Sequence, residues 1–223
     1  MRILFITSTR VGDAILSTGL LDYLIAQNPG ARVTVACGAA AAALFEGVPG
    51  LERIIILDKM IFSLHWLRLW VLCIGRFWGA VVDLRNSPMY YILPSRKRWR
   101  IGRTGAGLHR IRQLAAIFDL SDKPPAPKLW LSEETKTRAA GMIGVGPPVI
   151  AVGPTANWRA KTWRAEHFAE LIERLTAPDG IIPGGRVAIF GRDDERPGAL
   201  SLIDAVPSDR RIDLVGHLDL LEA

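Results

Sequence analysis

The chain has 223 residues, 49% of them hydrophobic and 22% charged, with two cysteines and a mean hydropathy of +0.21. That balance excludes a disordered chain, a collagen-like repeat and a disulfide-stapled miniprotein, and the length suits one large domain or two small ones. The net charge of +6 is unevenly spread: residues 1–130 hold 17 Lys/Arg against 8 Asp/Glu, and residues 131–223 hold 11 against 14. A basic first half and a mildly acidic second half point to two units with different partners.

In chain order, Arg2–Thr7 reads as an apolar strand, followed by the turn Arg10–Asp13 and a helix from Ala14 that Pro29-Gly30 stops. Val33–Cys37 and Arg53–Leu57 read as strands on either side of a small-residue helix, Ala39–Phe45. Met60–Trp78 reads as one helix rich in Trp and Phe, interrupted by Arg68 and Arg76. Its apolar run falls short of the roughly 20 residues a membrane span needs, so core packing or docking on a membrane surface is expected. Ala80–Leu84 is a fourth strand. Alternating strands and helices, with the strands almost continuously apolar, predict a parallel sheet covered on both faces.

Pro94–Arg112 then brings seven Lys/Arg and no acid, Lys123–Pro127 is a stiff break, and Ser132–Met142 reads as a helix. The pattern restarts with strand Val149–Val152, turn Gly153–Lys161, helix Ala165–Thr176, strand Arg186–Phe190 and loop Gly191–Glu195. Helix Gly198–Val206, strand Ile212–Val215 and the start of a helix at Leu218–Ala223 complete it. The expected division is 1–145 and 146–223. Cys37 and Cys73 lie in apolar runs without metal spacing and are expected as buried free thiols; no signal-peptide pattern opens the chain.

Three strand-to-helix turns can carry chemistry, because ligands of open α/β sheets bind at the carboxyl ends of the strands. In the first, Gly12 permits a tight turn and Asp13 is either a general base on a hydroxyl or a helix cap. The second, Gly153–Trp163, offers backbone N–H groups, the positive end of a helix and Lys161, which together suit a phosphate or diphosphate; an ordinary solvated loop is the alternative. In the third, a carboxylate of residues 193–195 either accepts bonds from ribose hydroxyls or caps the next helix. Dinucleotide G-x-G-x-x-G and P-loop motifs are both absent. The basic stretch suits a polyanion, with no motif that singles out nucleic acid.

Taken in order, these segments resemble the bacterial lipopolysaccharide heptosyltransferases, glycosyltransferase family 9. The features are a first strand running into Gly12-Asp13, the strand Val81-Val82-Asp83-Leu84, Arg100–Gly102, and Lys161-Thr162-Trp163-Arg164-Ala165-Glu166-His167-Phe168. The resemblance implies an α/β GT-B fold, two Rossmann-like domains with parallel sheets facing across a cleft, the second incomplete. It implies an inverting, metal-independent transferase without a cofactor, using an ADP-heptose donor and a Kdo–lipid A inner-core acceptor. By similarity Asp13 is the base, with Arg10, Gly12, Arg100 and Arg103 on the acceptor side. Thr155, Asn157, Lys161, Gly191 and Glu195 hold the donor. The expected location is the cytoplasm, peripheral to the inner membrane. Family members continue past the equivalent of Ala223 into an Asp-Ser/Thr-Gly-x-x-His segment, so a fragment or a truncated gene is expected. The alternative function is a non-catalytic module binding acidic glycolipid or a membrane surface.

Overall fold

The computed structural model describes residues 1–58, 60–102, 107–156 and 158–223. Contacts divide the chain between Leu131 and Ser132. In the first unit β1 (Arg2–Ile6), β2 (Arg32–Cys37), β3 (Leu51–Ile56), β4 (Trp78–Asp83) and β5 (Ser95–Arg100) form one sheet of order β3-β2-β1-β4-β5. Every pairing is parallel. The central strands are apolar from end to end because helices cover both faces: past Arg2, β1 is wholly buried.

Helix α1 (Val11–Ala26) joins β1 to β2, and α2 (Leu64–Cys73) crosses from β3 to β4. The short α3 (Met89–Ile92) joins β4 to β5, and α4 (Arg110–Ala115) follows β5. Ala39–Phe45 is a 3-10 helix, whose three-residue turn lines up the buried Ala41 and Leu44. Leu69 and Cys73 of α2, Met89 of α3 and the following Leu93 share one cluster with Leu4, Ile6 and Val81. The two helices therefore lie on the same sheet face.

The single helix expected over Met60–Trp78 is shorter and broken. A 3-10 turn at Ile61–Ser63 puts Phe62 and Ser63 at φ 53° and 60°, and α2 spans only Leu64–Cys73. Trp78 already belongs to β4, where it faces Ser95 in register. The charged β5 was not foreseen as a strand, because its Arg96, Lys97, Arg98 and Arg100 follow from its place at the sheet edge. The stiff break Lys123–Pro127 runs against α1: just past it the Lys128 N–H donates to Thr18 Oγ1 at 2.9 Å, and Lys128 Nζ pairs with Asp22 at 2.7 Å. A Cβ on Gly19 would lie 2.4 Å from the Ala126 carbonyl oxygen, so the close approach of this segment to α1 requires glycine.

The second unit holds α5 (Glu133–Ile143), β6 (Val149–Val152), α6 (Ala165–Thr176), β7 (Arg186–Ile189), α7 (Arg196–Ala205) and β8 (Arg211–Asp213). Its sheet is parallel, in order β6-β7-β8. Helix α5 belongs here, not with residues 1–131 as the 145/146 boundary had it, because Arg186 of β7 donates to the Ile143, Gly144 and Pro147 carbonyls. Arg138 of α5 also pairs with the buried Glu222 at 2.7 Å. No helix starts at Leu218: Asp219 Oδ1 accepts from the Leu221 and Glu222 N–H groups, which makes an Asx-type turn. Among the described residues no helix is long and apolar enough to cross a membrane.

Candidate functional site

In the first unit the topology changes direction between β1 and β4, where chain crossovers run to opposite sides. Such a switch point opens a crevice at the carboxyl ends of the strands. The β1–α1 connection leaves the sheet there. Ser8 Oγ accepts from the Arg10 N–H at 3.1 Å, and a Cβ on Gly38, at the end of β2, would sit 2.6 Å from Thr9 Cα. Glycine is thus required where that loop crosses β2.

Arg10 occupies the N-cap position of α1 without a side-chain capping bond, and Asp13 lies in the first turn. Gly12 is helical, and a Cβ on it would meet nothing within 4 Å. The turn therefore does not need a glycine. Asp13 is partly exposed, and Arg110 Nε stands 3.9 Å from its Oδ1. Arg110, the first residue of α4, was not singled out within the basic stretch; only the fold could place it here, because nearly a hundred residues separate the two in sequence.

Asp83 ends β4, facing Ile6 of β1 in register. It is completely buried; its Oδ1 accepts from the Arg85 N–H at 2.9 Å, and its Oδ2 from the Ser87 N–H at 2.6 Å and the Ser87 hydroxyl at 2.8 Å. Burial raises its pKa, against the opposing pull of the Ser87 and Arg85 bonds. Asp83 thus shapes the turn after β4. Arg100, at the end of β5, bonds the Tyr91 hydroxyl and lies 5.0 Å over the Tyr90 ring. Two strand spacings, roughly 10 Å, separate β5 from β1. Arg103 lies outside the described residues.

The second unit brings two of its expected residues together. Thr155, just after β6, donates from Oγ1 to Glu195 Oε2 at 3.0 Å, and the Arg192 N–H reaches the same oxygen at 3.1 Å. Glu195 closes a 3-10 turn, Asp193–Glu195, after β7. Gly191 accepts from the Gly216 N–H at 2.9 Å, so the turns after β7 and β8 are joined. Lys161 is exposed at the end of a short 3-10 turn before α6. Trp163 of the same motif stacks on His167 and meets Phe168 edge-on at 5.0 Å, so part of that motif is packing. Asn157 lies outside the described residues.

Arg196 fastens this corner, donating to Asp213 Oδ2 at 2.6 Å and to the Val215 carbonyl at 3.0 Å. Burial pushes the Asp213 pKa up, but the bonds from Arg196 and the Val215 N–H outweigh it and hold the group below its ordinary 3.8. A depressed folded value means the pair stabilises the fold above pH 3.8 and loses that contribution as pH falls through the folded pKa. Asp213→Asn should cost about 1 kcal/mol at pH 7, the lower range for a charged hydrogen bond with a partly exposed partner. In urea unfolding the gap to wild type should close below pH 3.8.

Cys37 and Cys73 are buried free thiols, pushed up by burial to about 12 and about 11. Among the described residues no three His, Cys, Asp or Glu side chains gather as a metal site.

Two Rossmann-like parallel α/β units, each with polar turns at the carboxyl ends of its strands, define a GT-B-type architecture. Residues 79–223 match the sequence profile of glycosyltransferase family 9 (heptosyltransferase), and the chain belongs to that family. No functionally curated protein matches it by sequence. Among solved structures, Escherichia coli ADP-heptose LPS heptosyltransferase II superposes with a TM-score of 0.70 at 22% identity, over 100% of this chain and 75% of its own. A glycosyl transferase family 9 protein from Veillonella parvula gives 0.71 at 17%, over 99% and 71%. E. coli heptosyltransferase WaaC, solved with ADP, gives 0.63 at 16%, over 92% and 72%. At these identities the likeness is one of fold.

Proposed function

We propose that the protein moves a heptose-type sugar from an ADP-activated donor to the inner core of lipopolysaccharide, with inversion, at the cytoplasmic face of the inner membrane. The observation that carries this reading is the place of Asp13 in a member of this family: a partly exposed carboxylate in the first turn of α1, at the switch point. The Asp13 carboxylate takes the proton of the acceptor hydroxyl as that oxygen bonds to the anomeric carbon. The bond from that carbon to the diphosphate oxygen breaks on the opposite side, and ADP leaves with the electron pair. In the second unit, Lys161 and the backbone N–H groups after β6 bind the diphosphate and its developing charge. Glu195, oriented by Thr155 and the Arg192 N–H, accepts from ribose hydroxyls. Support for ADP as the nucleotide comes from WaaC, solved with ADP and with ADP-2-deoxy-2-fluoro heptose.

Calorimetric titration of ADP and ADP-heptose into the chain, followed by ADP release in the presence of Kdo–lipid A, tests the proposal. Nucleotide affinity and acceptor-dependent ADP release are expected. Glycolipid affinity with no nucleotide affinity would instead identify a non-catalytic binding module. Lys161→Ala should weaken ADP by about 10- to 100-fold, the ~1.5–3 kcal/mol of a charge-assisted bond. An equal affinity in that variant would remove Lys161 from the donor site.

A further inference from the structure

Helix α2 is apolar on both of its faces. Inward, Leu69 and Cys73 are buried in the core, and Trp66 and Trp70 pack against it. The outward stripe, where an ordinary surface helix carries charges, is Leu64, Leu67, Arg68, Val71 and Leu72. Leu67 is 55% exposed and Val71 60%. The turn leading into the helix extends the stripe with Ile61 at 76% and Phe62 at 93% exposure. Phe62 and the following Ser63 hold left-handed backbone conformations, which non-glycine residues adopt at a cost in strain. Backbone strain here carries a phenylalanine into solvent instead of into the core.

Residues 61–74, the turn and the helix, carry one charge, Arg68, and no acid. Between residues 60 and 118 the sequence has ten Lys/Arg and a single acid, Asp83, which is completely buried. Arg68 lies within the stripe, and beyond α2 the exposed Phe77 lines one surface hollow with Arg2, Arg32 and Arg96. Arg2 and Arg32 of that hollow are already paired with Glu52, but a second copy docking by the stripe would bring Arg68 against Arg68 with no acid on α2 to offset them. An anionic bilayer offers acyl chains for the stripe and phosphates for the arginines, the combination that seats an amphipathic helix at a membrane interface.

We propose that the outer flank of α2, entered through Phe62, is a docking face for an anionic lipid bilayer. The tryptophans of the segment are not its inserting residues, because they face the core. Ile61, Phe62, Leu67 and Val71 insert, and Arg68 meets the headgroups. The test of this face uses no nucleotide, so its failure is distinguishable from a failure of the sugar-transfer reading.

The test is flotation of the full chain with phosphatidylcholine vesicles, with and without phosphatidylglycerol. Binding to the anionic vesicles is expected, and Phe62→Ser combined with Leu67→Gln should weaken it at least tenfold. Both side chains are exposed, so the far-ultraviolet circular dichroism of the variant should not change. Arg68→Gln should weaken anionic-vesicle binding about fivefold, the weight of one arginine near such a surface. Because both native thiols are buried, a dye placed through Phe62→Cys reports one position, and its emission should shift to the blue on anionic vesicles. Absence of flotation would overturn the proposal, as would flotation that the double substitution leaves unchanged. A dimer abolished by the same substitutions, without vesicle binding, would assign the face to a second copy instead.

Discussion

Asp13→Asn is expected to lower turnover by about 10²–10⁴-fold, the usual contribution of a positioned general base, while ADP-heptose binds as tightly as to wild type. Asparagine keeps the size of the side chain and its place in the first turn of α1 but cannot take a proton. The helix-cap alternative predicts something different. Arg10, not Asp13, occupies the N-cap position, so Asp13 can support α1 only as a first-turn acid. That contribution is about 0.3–1 kcal/mol and would appear as a small stability change with turnover intact. Acceptor-saturated ADP release and urea unfolding of the one variant separate the two roles. Arg110→Ala adds a second discrimination: with its Nε 3.9 Å from the carboxylate, its loss should lower turnover more than the affinity for donor if Asp13 is the base.

The alternation of strands and helices was legible because β1, β2 and β4 are buried on both faces and so read as unbroken apolar runs. The same rule hid β5, where an edge strand tolerates Arg96, Lys97 and Arg98. It also fused Met60–Trp78 into one helix, since a left-handed turn at Phe62 and Ser63 leaves no mark in an apolar pattern, and Trp78 suits a helix or a strand equally. Candidate site residues could be found where they follow a strand, as Asp13, Thr155 and Glu195 do. Partners distant in sequence could not: Arg110 beside Asp13 and the Thr155–Glu195 bond depend on the packing of separate elements. Asp83 stood out as the acid ending an apolar strand, but only its three hydrogen bonds show that it is spent on shaping a turn.

Trp78→Ala is expected to be among the most destabilising single changes in the first unit. Trp78 is completely buried, one of the largest such side chains, and it opens β4 while sharing a cluster with Leu69 and Cys73 of α2. Truncation removes its burial and leaves a cavity that the flanking strands cannot fill, at a cost of about 3–5 kcal/mol. The indole Nε1 also donates to the Cys73 carbonyl at 3.1 Å, in the last turn of α2; the alanine variant loses that bond and leaves the carbonyl the Arg76 N–H at 3.3 Å. Against a total stability of about 5–15 kcal/mol for a domain, the loss is about a fifth of the margin or more. Trp78→Phe, which keeps most of the ring volume and loses the hydrogen bond, should cost less, about 1–3 kcal/mol. Hydrogen exchange read by mass spectrometry separates this from general unfolding: peptides from β1, β4 and α2 should lose protection in Trp78→Ala while those from β6 and β7 keep theirs. Because Trp78 holds the last turn of α2 to the sheet, the alanine variant should also loosen the helix whose outer flank is the proposed docking face. Weaker vesicle binding in Trp78→Ala, with every exposed side chain of that flank intact, would show that the docking face depends on the rigid seat beneath it.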